Sequence, residues 1–335
     1  MKVLIYIGYQ AKQLDYNDFI QGNHIGGTEI VSLKLAETLV KYGIEAYFGG
    51  QINNGFHNGV EWIDISQCGS KHFDMVISSS YLHFIDTIDS KYKFLWLHNT
   101  DWYPWRDGED IYNIDYINRW DMTGLITLTQ WHKDFMLNNF SIKKEVHVIG
   151  NSIDRKTFNK KDKIRGSFIY SSAAERGLYR LLHMWPKVLA VMPHATLNVF
   201  CPGYSKPNVE IWPEGVTYHG TVSQDVLHDW QMKSEYWLYP TSYEETYCVT
   251  ALEMQYAGVI PITTPVAALG EVVGDRGVLL NPNETDDAFV DIIKELERSP
   301  ERKQRLREKG HEWAKQQSWN IRILEWLQLI RKNAN

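Results

Sequence analysis

YEETYCVTALEMQYAGVIPI, residues 243–262, is the stretch on which the reading of this 335-residue chain turns. Residues 246–256 carry apolar side chains at helical spacing (Val249, Leu252, Met254, Tyr256), and VIPI after Gly258 has the pattern of a short buried strand. Glu245 falls just before the predicted first turn, where unpaired amides and the positive end of the helix dipole attract an anion. Glu253 follows about 8 Å further along the axis at 1.5 Å per residue. One carboxylate on each side of an anion site suits a ligand with hydroxyls on both flanks of a phosphate, and a nucleotide-diphosphate sugar is such a ligand. Taken alone, two Glu at this spacing more often mark a cap and a solvated helix face. The Ala-Gly-x-x-Pro tail in register favours the ligand.

Outward from this stretch the chain alternates strand and helix signals. VLIYIG opens the first half, and an amphipathic helix is predicted over 26–42. EAYFGG, DMVISS, KFLWLH, GLITLT and VHVIGN follow as short apolar runs. A polar, Lys-rich stretch over 155–165 reads as a linker, after which SFIYSS restarts the same grammar. Helices are predicted over 176–191 and 224–231, strands at TLNVFC, VTYHG, YWLYP, VIPITT and GVLLNP, and helices over 286–298, 300–317 and 319–332. Such alternation predicts parallel sheets with helices on both faces, hence an α/β fold with two doubly wound domains.

Composition narrows the function. Apolar residues make up 44% and charged residues 23%, a globular balance, and a net charge of −6 gives nucleic-acid binding no support. Basic clusters at Lys143-Lys144 and over 159–165 read as solvated loops, with weak peripheral contact to an anionic membrane as the other reading. No run approaches the ~18 apolar residues of a membrane span. The amino terminus reads as a strand rather than a signal peptide, and three scattered cysteines fit a reducing cytosol. No His, Cys or Asp cluster has metal spacing, so no metal or other cofactor is expected.

The Glu245–Glu253 spacing and its tail resemble the Glu-x7-Glu motif of retaining glycosyltransferases of family four, which have the GT-B fold. The resemblance implies that Glu245 faces the donor sugar, that Glu253 binds the ribose hydroxyls and that the amides of Cys248 and Val249 face the phosphates. The family reads Glu-Gly-aromatic-Gly here, whereas this chain has Glu245, Thr246, Tyr247, Cys248. Arg176-Gly177 falls where the family has Lys-Gly, and a permanently charged guanidinium is apt for a pyrophosphate. The family's partner Arg falls on Ser171, which leaves Arg180 or Lys233 as substitutes. Gly26 and Gly27 match a phosphate-facing Gly-Gly, and His98 a strand-end histidine on the donor sugar. Residues 151–154 match a hinge-side loop, and His219 and Gly220 a region meeting the nucleotide base. Trp96, Trp102, Tyr103 and Trp105 form either an acceptor platform or ordinary loop packing.

The implied architecture is α/β, GT-B, two Rossmann-like domains facing each other across a cleft. The domains run 1–155 on the acceptor side and 165–318 on the donor side, with 319–335 crossing back. The implied enzyme is cytoplasmic and moves a hexose-type sugar, with retention, from a nucleotide-diphosphate sugar to a hydroxyl on a glycan or glycolipid. A sugar-nucleotide 2-epimerase and a non-catalytic glycan-binding protein are the alternatives.

Overall fold

The computed structural model describes every residue except 11, 22–24, 83–86, 102–104, 107–108, 111–113, 120 and 335. The chain divides into two compact units, Met1–Ser152 with Trp319–Asn335, and Ile153–Ser318.

Among the described residues the first unit holds ten strands: β1 (Lys2–Tyr6), β2 (Glu45–Gly50), β3 (Gly55–His57), β4 (Val60–Asp64), β5 (His72–Ser79), β6 (Asp89–Trp96), β7 (Trp105–Arg106), β8 (Glu109–Asp110), β9 (Gly124–Thr127) and β10 (Glu145–Val148). Eight form one sheet in the order β10-β9-β6-β5-β1-β2-β4-β3, parallel except for the β3–β4 hairpin. Val3, Leu4, Ile5 and Tyr6 are all without exposed surface, as a central strand covered on both faces requires. The unit's helices are α1 (Tyr16–Gln21), α2 (Gly27–Lys41), α3 (Ile65–Cys68), α4 (Ile114–Ile117) and α5 (Gln130–Asn139).

The second unit has β11 (Ser167–Ser171), β12 (Thr196–Phe200), β13 (Val216–Gly220), β14 (Tyr236–Tyr239), β15 (Ile260–Thr263) and β16 (Val278–Leu279). Their order, β13-β12-β11-β14-β15-β16, is wholly parallel. This is the doubly wound arrangement, and it places a switch point between β11 and β14, where such sheets bind ligands beyond their carboxyl ends. The helices are α6 (Leu178–Val191), α7 (Gln224–Lys233), α8 (Val249–Tyr256), α9 (Leu269–Val273), α10 (Asp286–Arg298) and α11 (Pro300–Lys315).

The last helix, α12 (Trp319–Ala334), returns to the first unit. Trp326 is buried with its ring edge-on to Trp96, centroids 4.7 Å apart at 71°. Among the described residues no helix is long and apolar enough to cross a membrane.

Two predicted helix starts are displaced. The predicted start at residue 246 moves to Val249, because Cys248 takes a left-handed conformation (φ 68°) as the N-cap of α8. Glu245 therefore lies in the loop ahead of α8 and not against its first turn. Arg176 ends a single 3-10 turn (Ala174–Arg176), and Gly177 at φ 129° separates it from α6. The predicted linker is also no free tether. Lys163 donates to the carbonyls of Ala257 at 2.8 Å and Gln231 at 3.3 Å, and Phe158 stacks on His228.

Candidate functional site

The loops after β11 and β14 meet at the switch point of the second unit. The 3-10 turn after β11 delivers Arg176, and the loop after β14 delivers Glu245. The Arg176 Nη1 donates to both carboxylate oxygens of Glu245, at 3.2 and 3.5 Å. Tyr239, the last residue of β14, donates its hydroxyl to Glu245 Oε1 at 2.9 Å. The guanidinium lies over the Tyr243 ring, 4.0 Å from its centroid. Glu245 is buried, whereas about a third of the Arg176 side chain (31%) is exposed. A fixed carboxylate and a partly open, planar cation thus share one spot, and a second anion can reach that cation. Gly177 makes the approach possible: a Cβ there would sit 3.1 Å from the Pro240 carbonyl oxygen.

Cys248, the N-cap of α8, feels the charge of both carboxylates. Burial pushes its thiol well up, Glu245 adds to the rise and Glu253 adds further, while Arg176 opposes them. These influences favour the protonated thiol over the nucleophilic thiolate. The amides of Val249 and Thr250 open α8, and the Ala251 amide donates to the Cys248 carbonyl at 3.0 Å. Glu253 has partners of its own. Its Oε2 accepts from Gln231 Nε2 at 2.9 Å, and its Oε1 lies 3.6 Å from His228 Nε2. Gln231 and His228 carry no role in the sequence reading, although their spacing of three within a predicted helix puts both on one face. Glu245 and Glu253 thus have different hydrogen-bond partners.

His219 and Gly220 end β13. The imidazole stacks on Phe200 at 4.5 Å, its Nε2 meets Asn198 Oδ1 at 2.9 Å, and burial lowers its pKa. Gly220 has φ 71°. Neither residue contacts Arg176, Glu245 or Glu253 through a described hydrogen bond.

Arg180 and Lys233, named as substitutes for the absent partner Arg, each have contacts elsewhere. Arg180 is spent clamping α6 to α10: it donates to Asp286 Oδ1 at 3.2 Å and to the carbonyls of Pro282 and Glu284 at 3.1 and 2.5 Å. The Lys233 ammonium rests over Trp230, 5.3 Å from the ring centroid. Ser171 is buried, and its hydroxyl has no partner among the described residues.

In the first unit His98 follows β6 and is buried. Burial and the nearby His132 lower its pKa to about 3, so it is neutral near pH 7. Its Nε2 lies 2.9 Å from Ser79 Oγ at the end of β5, and Ser79 lies 2.8 Å from Ser32 Oγ. Ser32 in turn bonds the Thr28 carbonyl at 2.7 Å. A hydroxyl chain therefore joins His98 to the first turn of α2, where Gly26 and Gly27 sit. The Gly26 amide donates to Glu29 Oε2 at 3.1 Å, the one half of a capping box that a glycine allows. No described atom lies within 4 Å of a Cβ placed on Gly27, so packing gives no reason for a glycine there. Trp96 is 1% exposed and belongs to the core, not to a platform. Trp102 and Tyr103 lie outside the described residues, as does the side chain of Trp105. In the 151–154 loop Asn151 and Ser152 are buried, and Asp154 caps the following turn through the Lys156 amide at 3.1 Å. Of the basic residues over 159–165, Lys163 is turned inward and Lys161 pairs with Asp229 at 3.1 Å. Among the described residues no three His, Cys, Asp or Glu side chains gather as a metal site.

Solved structures align with the chain over its full length. Sucrose-phosphate synthase from Thermosynechococcus elongatus superposes with a TM-score of 0.72 at 12% identity, covering 99% of this chain and 98% of that one. A glycosyltransferase from Rickettsia africae gives 0.72 at 13%, covering 100% and 98%. The fold is GT-B. A third GT-B structure, the Anabaena protein HepE in complex with UDP-glucose, gives 0.70 at 13% identity, covering 99% and 100%. Residues 166–299 match the family model described as Glycosyl transferases group 1. That segment of the GT-B chain contains Arg176, Gln231, Glu245, Cys248 and Glu253. No curated protein matches the chain.

Proposed function

We propose that the protein is a retaining glycosyltransferase that moves a hexose-type sugar from a nucleoside diphosphate to an acceptor hydroxyl on a glycan or glycolipid. The observation that carries this reading is the Arg176–Glu245 pair at the β11–β14 switch point, within the segment that matches the glycosyltransferase model. HepE was solved with UDP-glucose, which supports a sugar nucleotide as donor.

The chemistry follows from the charges. As the bond from C1 to the diphosphate oxygen breaks, its electron pair passes to the departing phosphate. Arg176 and the amides opening α8 meet that charge. Glu245 is pinned by Arg176 and Tyr239, so its engaged oxygens are poorly placed to attack C1, but its fixed negative charge favours a cationic sugar. The acceptor oxygen then bonds to C1 on the face the diphosphate leaves, and its proton passes to the leaving phosphate oxygen. That front-face path retains configuration without a protein nucleophile. Glu253 binds the ribose. The reading assigns His98, neutral and hydrogen-bonded, to the donor sugar, the turn at Gly26-Gly27 to the phosphates, and His219-Gly220 to the base.

The test is to incubate the protein with UDP-, GDP- and ADP-sugars and to follow both melting temperature and products. A donor raises the melting temperature by mass action and is slowly hydrolysed or transferred. Stabilisation by none of them would reject the proposal. An epimerised sugar nucleotide as sole product points to an epimerase, and glycan binding without donor turnover points to a binding protein.

A further inference from the structure

Glu253 is flanked by buried polar groups that the reaction above leaves unused. Gln231 on α7 has no exposed surface, yet its side chain is an amide. Burying such a group is costly unless it is hydrogen-bonded. Its one described side-chain bond runs from Nε2 to Glu253 Oε2 at 2.9 Å, and its own Oε1 has no partner among the described residues. A carboxylate only accepts, so the NH2 end must be the one facing it. His228, one turn earlier on α7, is also buried, and neither ring nitrogen has a hydrogen-bond partner among the described residues. Its ring lies flat on Phe158, centroids 4.0 Å apart at 21°, with Nε2 3.6 Å from Glu253 Oε1 and so beyond hydrogen-bond distance. Lys163 fixes the frame by bonding the Gln231 carbonyl on α7 and the Ala257 carbonyl at the end of α8.

We propose that Gln231 is a positioning residue: by occupying one oxygen of Glu253 it aims the other at a ribose hydroxyl of the bound nucleotide. The inference rests on the ribose role given to Glu253 above. A glutamine that merely filled space between α7 and α8 would not be needed there, since Leu or Met of similar volume packs without stranding an unpaired carbonyl. A hydrogen bond to a charged acceptor gains strength when the acceptor is held in place beforehand, because the ligand then does not have to order it.

The experiment compares nucleoside diphosphates with and without ribose hydroxyls. Calorimetry on the full chain measures the affinities of UDP, GDP and ADP, and then of the 2′,3′-dideoxy form of whichever binds most tightly. The wild type is expected to prefer the ribose form by about tenfold or more, the value of one hydrogen bond to a charged group. In Gln231→Met that preference falls below about threefold, while affinity for inorganic pyrophosphate stays within about twofold. Gln231→Asn, which withdraws the amide by one methylene and keeps its polarity, gives an intermediate preference and serves if the Met variant does not fold. A wild type with no preference overturns the ribose role of Glu253. A wild type with the preference, and variants that keep it while losing only stability, overturns the positioning role and leaves Glu253 in place.

Discussion

Arg176 donates to Glu245 and lies on Tyr243, contacts that hold the cation in place, so ordering it costs little when an anion arrives. Removing one such preorganised donor costs about 3 kcal/mol at the transition state. Arg176→Ala should therefore lower turnover a few hundred-fold, and wild-type turnover in that variant would take Arg176 out of the mechanism. A second consequence concerns acid. Burial lowers His98 to about 3 and His132 to about 4, against an ordinary 6.5. The unfolded chain therefore binds two protons that the folded chain refuses. Stability is in full above pH 6.5 and falls as the pH drops toward 4, by about 1.4 kcal/mol per pH unit for each histidine. Urea unfolding at pH 7, 6 and 5 should show this decline, and His98→Gln with His132→Gln should flatten it. An unchanged slope in the double variant would mean that the two rings take up protons as readily in the fold as in the unfolded chain. Arg176 and Glu245 were each legible as charged residues near loop ends. Their pairing was not, because it joins positions 69 apart and follows from strand order rather than from local pattern.

At the scale of elements, the helix and strand alternation was readable because buried parallel strands are short apolar runs and their helices carry apolar stripes. The misread parts are backbone conformations that no periodicity encodes. Cys248 at φ 68° delays α8, and Gly177 at φ 129° cuts the Arg176 turn from α6. The β3–β4 hairpin went unread although its signal was present: Asn58-Gly59 supplies two positive φ angles, 51° and 83°, as a two-residue hairpin turn demands. Gly177 gives a direct check. An alanine there meets both a disfavoured φ and the Pro240 carbonyl, so Gly177→Ala should cost about 1–3 kcal/mol of stability. It should also weaken nucleotide binding by displacing Arg176. Urea denaturation and calorimetry read the two effects, and a neutral substitution would show that the turn tolerates a side chain.

At the scale of the molecule, the two parallel sheets follow from the alternation, whereas the destination of the final helix rests on long-range packing. Trp326 of α12 is without exposed surface and seals Trp96, which in turn lies 4.5 Å from the His98 ring. Trp326→Ala should destabilise the first unit by about 3–5 kcal/mol, as large cavities do. Hydrogen exchange can localise the loss, and protection of β6 equal to the wild type would contradict this account. The same helix has a consequence for birth on the ribosome. The second unit is one uninterrupted segment and is able to close while synthesis continues. The first unit is built from segments on either side of the second in the chain, so it waits, open along the seat of α12, until that helix has been made.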